Sequence, residues 1–256
     1  MVKKPEEIKT ILGNMFSLKA DTASHEEIRD RLVSGGKITG TNMCVLICAM
    51  VIASVGLNVS STAVIIGAML ISPLMGSILA MAYGLMSNDF PLMRNHAIGL
   101  AMQIVISLIT STIYFLLSPL KEATPELLAR TSPTFYDVLI ATAGGLAGII
   151  GQTRQGQFNN IIPGVAIATA LMPPLCTCGY SIANGNWKML SGAAYLFIVN
   201  AYFIFLASAL ILGVLRTPKV KKLTEQEWKK LRFKMIRNTI IVLIPSLILG
   251  YFMIKG

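Results

Sequence analysis

The residues from Ile38 to Asn88 include no charged side chain. A stretch of this length can cross a bilayer twice, because one helical crossing of about 30 Å of hydrocarbon takes about 20 residues. Over the whole chain, 54% of the residues are hydrophobic and 13% are charged, and the charges are clustered. These features are typical of an all-α polytopic membrane protein.

We predict about seven transmembrane helices in four regions. The spans are placed near residues 43–57, 62–85, 96–118, 136–152, 160–183, 190–215 and 238–254. Residues 1–40 are expected to form two amphipathic helices on the cytoplasmic side, the second beginning at the capping-box pair Ser24 and Glu27. Residues 41–118 and 119–215 then hold three spans each, and residues 216–256 hold a basic cytoplasmic segment and the last span.

Lysine and arginine predict the orientation. If the N-terminus is cytoplasmic and every segment crosses, 18 of the 22 basic residues are cytoplasmic, and Lys121, Arg130, Lys188 and Lys255 lie outside. This imbalance follows the positive-inside rule and predicts an inner cell membrane protein with its C-terminus outside. The net charge of +10 predicts contact with anionic lipid headgroups, and we predict no nucleic-acid partner.

Two apolar segments contain prolines at matching places. The segments are 67–76, around Pro73, and 168–177, around Pro173 and Pro174. Proline has no backbone N–H, so the carbonyl four residues earlier loses its helical partner, and lipid cannot replace that partner. Two such interruptions favour a binding site inside the membrane.

The matching segments belong to a predicted internal repeat. Spans 1–3 form one unit and spans 4–6 form the other, and because three is odd the second unit must be inverted relative to the first. The third and sixth spans each carry one amide, Gln103 and Asn200, and the register set by the prolines offsets these two by one helical turn.

We therefore predict a substrate site at the bilayer midplane, where the proline-broken spans 2 and 5 meet. The prolines would free three carbonyls, and nearby hydroxyls and the two amides would complete the site. The candidate substrate-binding residues are Met69, Ser72, Pro73, Gln103, Thr169, Ala170, Pro173, Pro174, Thr177 and Asn200. The alternative is that the prolines only kink packed helices and that the amides bond across helices, worth about 0.6 to 2 kcal/mol each.

The predicted spans carry no Asp, Glu, Lys, Arg or His at mid-depth. This pattern argues against a buried proton relay and against hydrolases that use paired carboxylates or a Ser/His/Asp set. We expect no catalytic residues and no cofactor. A neutral polar site suits an uncharged solute or an ion coordinated by carbonyl oxygens.

The four cysteines allow a minor alternative. Cys44 and Cys48 share a helix face, and Cys176 and Cys178 follow the double proline. Soft sulfur ligands bind Cu(I), so a copper path is one hypothesis, although cysteine is also an ordinary packing residue. The cysteine spacing does not match a zinc site, and we predict no metal centre.

The fourth span contains Gly144, Gly145, Gly148 and Gly151. Small residues allow helix backbones to approach closely. We interpret this helix as one packed tightly within the second unit, with a homo-oligomer as the lesser option.

The stretches 63–76 and 163–175 resemble the two signature segments of domain-of-unknown-function family 389, a group of bacterial and archaeal hydrophobic membrane proteins. The resemblance covers about residues 40–215, with both motifs in the family's order. It implies a multi-pass membrane protein and supplies no substrate.

These features lead to one functional hypothesis and one rival. The first is a transporter or channel-like permease for an unidentified small solute or ion. The rival is a non-transporting membrane scaffold or sensor, whose basic segments bind lipid or protein. A polar cavity bounded by Ser72, Pro73, Thr169 and Pro174 would favour transport, and a dry, packed centre would favour the scaffold.

Overall fold

The computed structural model describes residues 21–155 and 162–255, with the backbone alone described for 162–170 and 246–255. The first predicted amphipathic helix lies outside the described residues. The remaining secondary structure is helical, with one isolated β-bridge between Thr22 and Arg154. The prediction of an all-helical chain is confirmed for the part that the structure describes.

The helices follow the predicted apolar segments closely. They are α1 (His25–Gly35), α2 (Gly40–Asn58), α3 (Thr62–Leu70), α4 (Leu74–Met86), α5 (Phe90–Leu117), α6 (Pro125–Leu128), α7 (Phe135–Gln152), α8 (Ile162–Ala183), α9 (Trp187–Val214) and α10 (Glu225–Lys255). Within the described residues, α2, α5, α7 and α9 are long and apolar enough to cross a membrane, and the number rises to five if the bent pair α3–α4 counts as one span.

We call one end of the bundle the α1 end. The segments that directly precede α5 and directly follow α7 and α9 lie at this end. Arg31 Nη1 of α1 donates to the carbonyl of Arg154, just after α7 (2.6 Å). Val220 N, after α9, donates to the carbonyl of Ser87, just before α5 (2.7 Å). Helices α7 and α9 therefore end where α5 begins.

We call the opposite end the α6 end. The segments that follow α2 and α5 lie there, together with the last turns of α8. Asn58 is the last residue of α2. Its Nδ2 donates to Oγ of Ser118, which directly follows α5 (2.7 Å). Tyr180 OH, near the end of α8, donates to the carbonyl of Lys121 (2.7 Å). Helices α2, α5 and α8 thus run toward the α6 end, while α7 and α9 run away from it.

The bent pair α3–α4 passes from the α6 end to the α1 end. Thr62 Oγ1, at the start of α3, donates to Glu126 Oε1 of α6 (3.0 Å). At the far end of α4, Ser87 accepts the hydrogen bond from Val220 at the α1 end. The bent pair α3–α4 therefore runs between the two ends of the bundle, and α5 returns in the opposite direction.

The last helix, α10, lies antiparallel to α9. Tyr202 OH of α9 donates to the carbonyl of Met235 (3.1 Å), and Tyr195 OH, nearer the α6 end, donates to the carbonyl of Val242 (2.8 Å). The basic part of α10 therefore begins at the α1 end.

Glycines set the closest helix contacts. A Cβ at Gly145 of α7 would lie 2.8 Å from Ile204 Cα of α9, so the glycine-rich helix packs closely on a neighbour within the chain. At the α1 end, a Cβ at Gly76 of α4 would overlap the carbonyl group of Gly35. Helix α1 and its Gly35–Gly36 end can therefore dock on α4 only because residue 76 has no side chain.

Polar residues cap the helices at both ends. As predicted, Ser24 Oγ accepts from Glu27 N at the start of α1 (3.2 Å). Asp137 Oδ2 accepts from Thr134 N at the start of α7 (2.6 Å), which gives this carboxylate a structural role. Glu227 Oε2 accepts from both Thr224 N (2.8 Å) and Thr224 Oγ1 (2.9 Å) at the start of α10.

We expect Gly76→Ala to destabilise the protein by about 1 to 3 kcal/mol, because overpacking forces backbone shifts of this cost. Gly67→Ala is the matched control, since an added Cβ there meets nothing within 4 Å. That control should be neutral or stabilising by up to about 1 kcal/mol, because alanine favours helix. Thermal unfolding of the purified protein measures both; equal unfolding temperatures would contradict the close α1–α4 contact.

The hydrogen bonds from Thr224 hold the pKa of Glu227 below its ordinary value of 4.5. The cap therefore contributes fully above pH 4.5 and is lost as the pH falls through the lower folded-state pKa. We expect hydrogen-exchange protection at the start of α10 to fall over that acidic range, and Glu227→Gln to remove the pH dependence. Glu225→Gln is the control and should leave it in place.

Candidate functional site

The interruption between α3 and α4 lies at Ile71–Pro73. The two helices meet at an angle of 48°. Ser72 N donates to the carbonyl of Met69 (3.2 Å), so a tightened turn satisfies the carbonyl that Pro73 was expected to free. The prediction of an unpaired Met69 carbonyl is wrong, because the chain bends and gives that carbonyl a nearer donor.

The break lies at the level of the middle of α5. Ser77, four residues after Pro73, donates from Oγ to Gln103 Oε1 (3.0 Å). Gln103 is 1% exposed and lies midway along its helix. The structure thus brings one predicted amide close to the interrupted span.

A cavity of about 160 Å³ borders the break on the α1 side. Ser72 and Pro73 form part of its wall, and Arg31, Gly35 and Gln152 form the facing part. Helix α1 therefore covers the break. A second cavity of about 480 Å³ lies beyond the Gly35–Gly36 segment, between α1 and the first turns of α5, and is lined by Asp30, Val33, Ser34, Gly36, Lys37, Ile38, Leu92, Asn95 and His96.

The second proline pair does not interrupt its helix. Helix α8 continues through Pro173 and Pro174 to Ala183, and residues 171–180 are all buried. The prediction of a broken fifth span is therefore wrong. Close packing holds the helix together across the two missing N–H groups, and Pro174 does not line the cavity at the break. The side chains of Thr169 and Ala170 lie outside the described residues, and Thr177 is buried.

The two predicted amides occupy equivalent positions. Helices α5 and α9 have the same length and start with the same cap, in which Asp89 Oδ1 accepts from Leu92 N (3.0 Å) and Asn186 Oδ1 accepts from Met189 N (3.1 Å). Counted from these caps, Gln103 and Asn200 hold the same place in their helices. The expected offset of one turn is wrong, because the proline motifs and the long helices differ in register.

A pair of serines also occupies equivalent positions in α5 and α9, and neither serine is among the predicted site residues. Ser111 of α5 and Ser208 of α9 also match when counted from the caps, and both are fully buried. Ser111 Oγ donates to the carbonyl of Cys176 in α8 (3.0 Å) and accepts from Ser54 Oγ of α2 (3.2 Å). Aligning Asp89 with Asn186 in the sequence would have revealed both pairs.

Aromatic residues close the α6 end of α5. Phe115, which is 1% exposed, lies between Tyr114 and Tyr180, with ring centroids 5.0 and 5.1 Å apart in edge-to-face geometry. Asn58 Nδ2 also contacts Tyr114 OH (3.3 Å). The buried face of α5 is therefore sealed at this end.

The cysteines lie in two separate places. Cys44 and Cys48 are exposed on α2, and Cys176 and Cys178 are buried in α8. The part of the chain that the structure describes contains no group of three His, Cys, Asp or Glu residues that could hold a metal ion. Cys176 Sγ is 4.0 Å from the carbonyl of Met50, a packing contact between α8 and α2.

These features define a class of protein: the described residues form an all-helical bundle in which four helices, or five with the bent pair, are long and apolar enough to cross a membrane. The chain belongs to the family known as domain of unknown function 389, whose model matches residues 69–206. That range contains the break at Pro73, both prolines of α8 and the amides of α5 and α9, and the expected family resemblance is confirmed.

The chain has a relative in an archaeon. The chain is 26% identical over 209 residues to an uncharacterised protein of Methanocaldococcus jannaschii. The alignment covers 82% of this chain and 61% of that protein, so the chain spans less than two thirds of the relative's length. No solved structure matches the chain.

We expect Ser54 and Ser111 to show a coupling of about 0.6 kcal/mol in a double-mutant cycle with alanine, the usual value for hydrogen bonds between membrane helices. Unfolding of the purified protein in detergent measures it. Ser54 and the exposed Ser191 are the control pair and should show no coupling, because distant sites are additive. Zero coupling between Ser54 and Ser111 would contradict their contact.

Proposed function

We propose that the protein is an integral membrane transporter or channel-like permease for a small solute or ion, and not an enzyme. The observation that carries the proposal is the interrupted span α3–α4, whose break lies level with the middle of α5 and borders a cavity. Most residues of the cavity wall are apolar, and Ser72, Arg31 and Gln152 supply its polar groups. Interrupted helices of this kind surround the substrate sites of many transporters, because irregular backbone is tolerated in a membrane only next to protein or a cavity.

We also propose that the chain is built as two inverted three-helix units, and the match between α5 and α9 supports this arrangement. The first unit is α2, α3–α4 and α5, and the second is α7, α8 and α9. Helices α5 and α9 share their length, their caps and two buried polar positions, and they run in opposite directions. This relationship is the one expected for halves related by an axis in the membrane plane.

The distribution of charge supports seven crossings of an inner cell membrane. Described basic side chains gather at the α1 end, in α1, at Arg154 and from Arg216 to Arg237, whereas Lys121, Arg130 and Lys188 lie toward the α6 end. The α1 end would then be cytoplasmic and the C-terminus would be outside.

The basic segment is also the proposed contact with anionic lipid headgroups. Trp228 of α10 lies beside two cations, Lys219 Nζ at 5.4 Å and the Arg232 guanidinium at 5.7 Å from the ring centroid. An amphipathic tryptophan between cations suits the headgroup region of a bilayer. A homo-oligomer is a further proposal of the same kind.

A membrane scaffold or sensor is the second candidate. The packing around Pro174 and Leu175 favours it, because both residues are buried, whereas Ser72 and Pro73 of the first motif line a cavity. In that case the hydrogen bonds of Gln103 would serve only to join α4 and α5.

We expect Gln103→Leu and Asn200→Leu each to lower solute flux, because each removes a buried amide at the proposed site. Purified protein in liposomes, assayed with a panel of neutral solutes, cations and anions, measures this. Gln226→Leu and Asn238→Leu are the matched controls, since both side chains are exposed on α10. Wild-type flux in both amide variants would remove the amides from the site, and a panel without flux would favour the scaffold.

A further inference from the structure

The buried face of α5 carries a row of hydrogen-bonding side chains. Gln103, Ser107 and Ser111 follow at intervals of four residues, and Ser118 continues the row just past the helix end. All four are buried. Residues four apart on a helix lie above one another, so the row runs from the middle of α5 to the α6 end.

The row has more hydrogen-bonding capacity than the protein uses. Gln103 Nε2 and Ser107 Oγ have no partner among the described residues, although Gln103 is 1% exposed and Ser107 is 0% exposed. Nearer the α6 end, Asn58 Oδ1 also has no partner among the described residues, while Asn58 Nδ2 donates to Ser118 Oγ. Polar groups buried in this way are usually satisfied, so neighbouring orphan groups indicate a place for a small polar molecule.

The groups along the row are amides and hydroxyls without formal charge. His96 precedes the row at the wall of the larger cavity, and Lys121 lies past the row at the α6 end, where its Nζ donates to the carbonyl of Phe115 (2.9 Å). The carbonyl of Met69 already accepts a hydrogen bond within its own turn. An ion would lose a hydration shell here without gaining charged ligands, whereas an uncharged molecule only exchanges hydrogen bonds with water for hydrogen bonds with protein.

We infer, on the basis of the proposed transport function, that the buried face of α5 is the binding site and route of a small uncharged molecule bearing hydroxyl or amide groups. Gln103 Nε2 donates to an oxygen of this molecule, and Ser107 Oγ one turn away bonds to a second polar atom. Ser111, Asn58 and Ser118 provide the next partners along the route.

Both ends of this route are closed in the structure. At the α1 end, the carbonyl of Gly36 lies 3.0 Å from His96 Nδ1 and 3.5 Å from Ser77 Oγ, between the larger cavity and Gln103. At the α6 end, Phe115 lies between the two tyrosines. Passage therefore requires movement of the Gly35–Gly36 segment and of Phe115, as in a transporter with an occluded state.

The test uses glycerol and urea as probes, with the full-length protein in liposomes. Swelling and shrinkage in a stopped-flow instrument measure the entry of each probe, and parallel assays measure K⁺ and Cl⁻ flux. We expect glycerol or urea to enter faster than in protein-free liposomes, with no protein-dependent ion flux.

Two substitutions at Ser107 and one control test whether the route follows α5. Ser107→Leu adds side-chain volume one turn from Gln103 and should lower probe flux by about tenfold or more, which corresponds to about 1.4 kcal/mol of added barrier. Ala101→Leu is the matched control, because it adds a similar side chain on the exposed face of α5 and should keep wild-type flux. Ser107→Ala removes only the hydroxyl without adding volume, so it tests the same contact if the leucine variant does not fold.

The possible results distinguish a failure of this inference from a failure of the proposed transport function. Ion flux without glycerol or urea flux overturns the uncharged substrate class and leaves a transporter. Probe flux that is unchanged in both Ser107→Leu and Ser107→Ala overturns the route along α5 and also leaves a transporter. Absence of flux for both probes overturns the inference, and the broader solute panel then decides whether the protein transports at all.

Discussion

In the apolar part of this protein, every backbone N–H and carbonyl must find its partner within the chain, because lipid offers none. At Pro73 the helix cannot continue in the ordinary way, and the chain meets the requirement by tightening its last turn, with Ser72 N bonded to the carbonyl of Met69. The resulting bend separates α3 from α4 and leaves the first turn of α4 open to α1. The cavity at the break and the docking of Gly35 on Gly76 both depend on this local solution.

The two proline motifs have different outcomes because their neighbours differ. Around Pro173 and Pro174, helix α8 is packed against α5, α7 and α9, and this packing keeps the helix continuous without two of its N–H donors. Around Pro73, the close neighbour is the end of α1, whose glycines fill little space. A cavity is therefore found beside the first motif, and the site that we propose is asymmetric even though the two halves share helices of the same length and caps.

The polar residues of α5 connect this break to the rest of the bundle. Ser77 joins Gln103 to α4, Ser111 joins α5 to α2 and α8, and Asn58 reaches Ser118 at the α6 end. Each bond is modest in strength, so the row adds little to stability. Its significance lies in the amide and hydroxyl groups that remain without partners in a region where solvent is scarce, and these groups are the basis for the proposed route.

The sequence by itself determined the helices, the cap at Ser24, the family and the equivalence of two proline motifs as patterns, because apolar runs, capping residues and prolines act locally. It could not determine which motif breaks its helix, since a missing N–H is tolerated or not according to the packing around it. It also misplaced the two amides by one turn, because their register depends on where the long helices begin, at Asp89 and Asn186. Only the tertiary structure placed Ser107 and Ser111 on one buried face with Gln103, since burial depends on which neighbouring helices pack against α5.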